Sequence, residues 1–335
     1  MKKLTKYKRL ENDVWQGRID DPENFDAFRW HQWVKTIDLL DKNLQPISKE
    51  VNGFCFLGFC CDEGVELNEG RPGAAKGPIS IRKEMAKLPC RFDKETKLFD
   101  GGNIISLGDD LETVQNELAI AVEKILSLNL FPIILGGGHE IAFGHYNGIL
   151  SSVLKEYKDP KIGIINFDAH FDLRPYPNGG NSGTMFRQIA DKCKEIEIDY
   201  SYFGVGIQKY GNTVSLFKKA DELGAEYILA KDINNSNILN VLNQLDDYIK
   251  SNEYIYITIC SDVFSSAFAP GVSSSQPLGL TPKIVLELLK YIIKSDKVLS
   301  FDIAEVSPRF DQDNSTANLA AIIIFAVINT LIGEE

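Results

Sequence analysis

The segment GIINFDAHFD, residues 163–172, runs from apolar residues straight into Asp168, His170 and Asp172. The three alternate, so a strand direction carried through them points all three side chains to one side. Two carboxylates left unpaired there would repel each other. A divalent cation among them removes that penalty, which makes a metal site a better reading than a surface-charged loop. Two further stretches have the same form. FPIILGGGHE ends an apolar run in three glycines followed by His139; glycine allows a sharp turn and a close backbone approach to a ligand. YIYITICSDVF sets Cys260 and Asp262 two residues apart at the end of another apolar run. The bland alternatives are an incidental histidine on a glycine turn, a buried thiol and a helix-capping acid. Together, His139, Asp168, His170, Asp172, Asp262 and Cys260 are too many ligands for one catalytic zinc with three protein ligands. They suit two cations sharing bridging carboxylates, roughly 3.5–4 Å apart, an arrangement that activates water at neutral pH. Mixed oxygen and imidazole donors are compatible with manganese.

Such residues must be held by something rigid, and the surrounding pattern supplies it. From residue 53 onward, short apolar runs alternate with longer amphipathic stretches. The strand candidates are GFCFLGF, IISLG, FPIILGG, IGIINFD, YSYFGVG, EYILA, YIYITIC and VLSFDIAEV. Helices are expected near 78–88, 111–129, 141–157, 183–196, 213–223, 236–250, 282–294 and 315–332. This alternation predicts one parallel sheet with helices on both faces, and continuous apolar runs fit strands buried on both faces. In open sheets of this kind ligands bind beyond the carboxyl ends of the strands, where the three stretches place their cargo. Residues 1–50, polar with Trp15, Trp30 and Trp33 interspersed, read as an arm and a short helix laid over a single domain of residues 51–335.

Composition narrows the function. The chain has 335 residues, a net charge of −11 and 44% hydrophobic residues. That acidic balance argues against a phosphate-backbone binder, which needs basic patches. Six cysteines without CxxC spacing argue against a disulfide framework at this size and for a reducing compartment, the cytoplasm. The N-terminus MKKLTKYKRLENDVW lacks the apolar core of a secretory signal. The apolar run ANLAAIIIFAVINTLI is short for a membrane span of ~20 residues and reads as a buried helix.

With these residues in view, the chain resembles the ureohydrolase family of arginases and agmatinases. That family's pattern of a Gly-Gly-x-His turn, an Asp-Ala-His-x-Asp segment and a later Asp-x-Asp strand end is matched in order by GGGHE, DAHFD and CSD. WQGR, CDEGV, GRPGAAKGP, NFDAHFDLR, SGTMFRQ and EVSPRFD resemble one branch of the family, that of the formimidoylglutamases of histidine degradation. The resemblance implies a three-layer α/β/α fold with a mostly parallel, eight-stranded sheet, two Mn2+ ions, homo-oligomers, and hydrolysis of N-formimidoyl-L-glutamate to glutamate and formamide. It implies that His139, Asp168, His170, Asp172 and Asp262 are metal ligands with position 260 as the sixth, and that Glu305 faces the amidinium-type group of the substrate.

Two departures from the pattern matter. Ser182 stands where arginases and agmatinases carry a histidine; this favours the formimidoylglutamase branch and removes a candidate proton shuttle. Cys260 stands where a bridging aspartate is expected, leaving three carboxylates against the four charges of two divalent ions. A thiolate could complete the balance, but it is a soft ligand that favours zinc, iron, cobalt or nickel over manganese. Asp172 is expected to orient the nucleophile. Arg174 and Arg187 are candidates for the substrate carboxylates, which guanidinium groups grip bidentately, with structural ion pairs as the alternative. Two rival functions stay open: hydrolysis of another guanidino or amidino compound, and a metal-binding homologue impaired by Cys260. Nothing in the sequence supports a nucleic-acid or membrane role.

Overall fold

The structure, a computed structural model, describes residues 4–10, 14–108 and 110–334; residues 1–3 and 11–13 of the expected arm lie outside these. The strands are β1 (Tyr7–Lys8), β2 (Lys35–Thr36), β3 (Gly53–Cys60), β4 (Lys97–Ile105), β5 (Phe131–Leu135), β6 (Ile162–Phe167), β7 (Ser201–Ile207), β8 (Glu226–Leu229), β9 (Tyr254–Cys260) and β10 (Val298–Ala304). The helices are α1 (Trp30–Trp33), α2 (Glu63–Leu67), α3 (Gly77–Met85), α4 (Leu111–Ser127), α5 (Ile141–Val153), α6 (Met185–Glu195), α7 (Val214–Glu222), α8 (Ile238–Ser251), α9 (Pro282–Ile293) and α10 (Ser315–Leu331).

One ten-stranded sheet forms, in the order β1-β4-β3-β5-β10-β9-β6-β7-β8, with β2 also on β4. From β4 to β8 every pairing is parallel. The expected eight strands are therefore present, and the N-terminal segment adds two short ones at one edge, β1 antiparallel and β2 parallel. Alternation along each strand divides the apolar side chains between two cores. In β9, Ile255, Ile257 and Ile259 face one core, which contains residues of α3, α8, α9 and α10. Tyr256 faces the other, with residues of α4, α5, α6 and α7. Helices thus cover both faces of the sheet, as its two-sided apolar runs require.

The apolar C-terminal run is helix α10, buried along most of its length, and no helix among the described residues is long and apolar enough to cross a membrane. The fully buried Trp30 lies between Phe56 and Phe325 of α10, at centroid distances of 5.8 and 6.1 Å.

Strand β4 starts earlier than IISLG suggested, at Lys97. Before IISLG it holds Asp100, Gly101 and Gly102. The register slips there, with Phe56 opposite Asp100 but Gly58 opposite Asn103, so β4 carries a bulge at the glycines; Gly102 has φ +82°. Asp100 is buried against Arg82 of α3, with Nε to Oδ2 at 2.7 Å and Nη2 to Oδ1 at 3.0 Å, and it also accepts from Trp15 Nε1 at 2.8 Å.

Candidate active site

Four strands at the centre of the sheet, β5, β10, β9 and β6, are neighbours in that order. The turn after β5 is Gly136–Gly138. A Cβ at Gly137 would lie 2.0 Å from the Cys61 carbonyl oxygen, and one at Gly136 would lie 2.6 Å from Ala304 Cα. The glycines therefore let this turn thread between the ends of β3 and β10, and it delivers His139 to the head of α5. Glu305, just beyond β10, clasps the same turn: its N–H donates to Gly137 O at 2.8 Å, and its Oε1 accepts from His139 N–H at 3.0 Å.

The loop after β6 carries Asp168, His170 and Asp172. Asp168 Oδ2 lies 3.0 Å from His139 Nδ1, and its Oδ1 lies 3.4 Å from His170 Nδ1. Asp172 Oδ2 is 3.1 Å from His139 Nδ1, and Asp262 Oδ2 is 3.0 Å from His170 Nδ1. Ligand atoms of His139, Asp168 and Cys260 all fall within 4.8 Å of one another, as do those of Asp168, His170 and Asp262. The result is two three-donor groups that share one carboxylate. All six sequence-level ligand candidates are brought together, Cys260 among them, and all but His170 are buried.

The electrostatics are those of a site short of positive charge. Burial opposes a charge on His139, yet the carboxylates of Asp168 and Asp172 outweigh it and raise its pKa well above the ordinary value; Asp262 and Asp168 do the same for His170. Burial and the neighbouring Asp168 push Asp172 up to about 6. Burial, with Asp262 close by, pushes Glu305 up to about 8. Burial beside Asp168 and Asp262 raises the Cys260 thiol well above its usual range. Two backbone outliers sit here as well: Asp172 has φ +48° and Glu305 φ +64°. Non-glycine residues in this region cost about 1–3 kcal/mol each and cluster at functional sites.

Above the cluster opens a cavity of about 310 Å3, lined among others by Asn68, Arg71, Arg174, Ser182, Ser273 and Glu305. Arg174 and Ser182, candidates from the sequence, both line it. Arg187 is not among the lining residues. It is half-buried on α6, whose inward stripe is Met185, Phe186, Ile189, Ala190 and Cys193, and its charge acts on Tyr176 and Glu222 instead. Sequence reasoning missed Arg71. It sits in GRPGAAKGP, and its guanidinium donates to Ser273 O and Val272 O, each at 2.8 Å, while lying 4.1 Å from the Phe310 ring centroid. An arginine in that glycine-rich segment was the available signal. Glu305 Oε2 is buried in the cavity wall with no hydrogen-bond partner among the described residues, an arrangement that calls for an explanation.

The model of the arginase family matches residues 52–329, nearly all of the sheet and every residue of this cluster. The chain belongs to the arginase family. A formimidoylglutamase of Clostridium tetani is 60% identical over 326 residues, covering 97% of this chain and 96% of that one. A formimidoylglutamase of Lysinibacillus sphaericus is 42% identical over 330 residues, covering 98% and 99%. Among solved structures, formimidoylglutamase from Bacillus subtilis superposes with a TM-score of 0.78 at 23% identity, over 92% of this chain and 93% of that one. Trypanosoma cruzi formiminoglutamase with Mn2+ gives 0.74 at 22%, over 89% and 99%. At such identities the structural likeness establishes the fold and nothing finer.

Proposed function

We propose that this chain hydrolyses the C–N bond of N-formimidoyl-L-glutamate, releasing glutamate and formamide, with a pair of Mn2+ ions. The observation that carries the metal assignment is Asp168, whose two oxygens face two different imidazoles. The residues present fit the ions. His139, Asp168, Asp172 and Cys260 would hold one, and Asp168, His170 and Asp262 the other, with Asp168 bridging. The carboxylates that raise the pKa of both imidazoles make this a site that favours positive charge, which two cations would supply. Two divalent ions would supply Lewis-acid charge and make a water acidic enough to serve as nucleophile near neutral pH.

The chain's own groups then have separable tasks. Asp172 accepts a hydrogen bond from the attacking water and orients it toward the formimidoyl carbon; such help contributes about 10²–10⁴-fold. Glu305 Oε2, otherwise without a partner, accepts from the planar N–H groups of the substrate. As the tetrahedral carbon collapses, the C–N bond breaks, the amine of glutamate leaves with the proton that the attacking water gave up, passed on through Asp172, and formamide remains. Arg174 and Arg71, the arginines lining the cavity, offer donors to the two substrate carboxylates, with Ser182 between α2 and the metal cluster. In an acidic protein these local cations matter for an anionic substrate. The rank of relatives bearing the formimidoylglutamase name, and serine rather than histidine at 182, favour this substrate over arginine or agmatine. A product assay on the Mn2+-loaded protein tests it: formamide released from formimidoylglutamate is expected, and greater turnover of arginine with release of urea would overturn it.

A further inference from the structure

Behind the metal cluster lies a chain of polar side chains that the proposed reaction does not use. The register of β10 on β9 sets Asp302 opposite Thr258 and Ser300 opposite Tyr256. His145, one turn and a half along α5 from His139, reaches down onto both strands. Asp302, His145, Thr258, Tyr256 and Ser300 have no solvent exposure. His145 Nδ1 is 2.6 Å from Asp302 Oδ2, and its Nε2 is 2.5 Å from Ser300 Oγ. Tyr256 OH donates to Asp302 Oδ2, and Thr258 Oγ1 donates to Asp302 Oδ1 at 2.6 Å. Thr258 Oγ1 is also 3.0 Å from His139 Nε2.

Counting protons orients the chain. Ser300 has one hydroxyl proton and gives it to Pro132 O at 3.0 Å, so its oxygen accepts from His145 Nε2–H. The other ring nitrogen of His145 faces Asp302 Oδ2. Thr258 has a single hydroxyl proton and gives it to Asp302 Oδ1. The Thr258 oxygen must then accept from His139 Nε2–H. The nitrogen of His139 left to supply a lone pair is Nδ1, the one that faces Asp168 and Asp172. Ligating histidines generally have their second nitrogen held in this way, and such outer partners set ring orientation and ligand basicity.

We propose that the buried His145–Asp302 pair is a positioning device that acts through Thr258 to keep His139 Nδ1 available to a metal ion. The inference rests on the metal reading above, and its test separates the two. Mn2+ is titrated into the metal-stripped full-length protein, and into Thr258→Val, Thr258→Ser, Asp302→Asn and the Thr258→Val/Asp302→Asn double variant. Near-UV circular dichroism confirms that each is folded. Thr258→Val and Asp302→Asn should each weaken Mn2+ binding about 10–100-fold, while Thr258→Ser, which keeps the hydroxyl, should stay close to wild type. The double variant should be no weaker than Thr258→Val alone, because both changes cut the same link. Should Asp302→Asn fail to fold, His145→Gln goes through the same cycle. Additive losses, or single variants that bind as wild type does, would overturn the inference and leave the metal site standing. A wild-type protein that binds no Mn2+ would instead overturn the metal reading. A second readout is specific to the ring: with only four histidines in the chain, ¹⁵N shifts of the Zn2+-loaded protein should place the His139 proton on Nε2 in wild type, and a proton on Nδ1 would contradict the scheme.

Discussion

The Sγ of Cys260 and a carboxylate oxygen of Asp168 lie within 4.8 Å of each other, both on buried side chains. Cys260 therefore belongs to the cluster rather than to the apolar packing around it. Its thiol, raised by burial and then by Asp168 and Asp262, becomes a ligand only when a cation displaces its proton. Thiolate is a soft donor, so wild-type protein should fill one of its Mn2+ positions less completely than the other, or take a softer ion. Cys260→Asp should raise Mn2+ affinity and leave Mn2+-supported activity equal or higher. Calorimetric titration with metal counting checks this; two tightly held Mn2+ ions in wild type, weakened by the substitution, would show the charge argument to be wrong.

Asp168→Ala removes the one carboxylate shared by both three-donor groups. Neither ion position keeps its full set, so metal binding and hydrolysis should both be abolished. The helical far-UV signal should persist, since the two cores on either face of the sheet are untouched. A variant that retains full metal content and turnover would rule out the site as assigned.

Arg174 lines the cavity, and its guanidinium has no hydrogen bond or ion pair among the described residues. Nothing in the fold depends on it, so Arg174→Ala should leave the melting temperature unchanged. A hydrogen bond to a charged group contributes about 1.5–3 kcal/mol, so KM for formimidoylglutamate should rise by about 10-fold or more. Steady-state kinetics decide it, and an unchanged KM would remove Arg174 from substrate recognition.

Arg82 and Asp100 form a bidentate pair with no exposure on either side chain. Asp100→Ala strands the guanidinium in the core and releases Trp15. Breaking a buried pair by removing one partner costs about 3–5 kcal/mol, and urea denaturation should register a loss of that size. Arg82→Met/Asp100→Leu, which removes both charges, should recover part of it.

The strand-end cluster was legible because its residues stand in alternating or near-alternating positions, a pattern that survives without knowledge of tertiary structure. The parallel sheet was legible for the same local reason. What escaped depended on neighbours distant in sequence. The first half of β4 fell outside the IISLG candidate, because Asp100 is tolerated inside a sheet through its pairing with Arg82. Arg187 sat close in sequence to Ser182, but the helical stripe of α6 turns it away from the cavity. Arg71 arrives through contacts with Val272 and Ser273, some two hundred residues on. Thr258, Asp302 and His145 lie inside apolar runs and acquire meaning only when β10 is aligned beside β9.

The position of β10 has a consequence for how the protein comes into being. It is the last strand in the chain, yet it lies between β5 and β9 at the middle of the sheet. Until it arrives, the strands already made form two blocks, β4-β3-β5 and β9-β6-β7-β8, with an open slot between them. Pairings between segments so far apart in sequence are slow to form, because a long loop must close first. A chain in which β10 has not yet docked would hold His139 on one side of the slot and Asp168, His170, Asp172 and Asp262 on the other. The cluster that could capture a metal therefore closes only when β10 takes its place, and β10 is the seam that closes it.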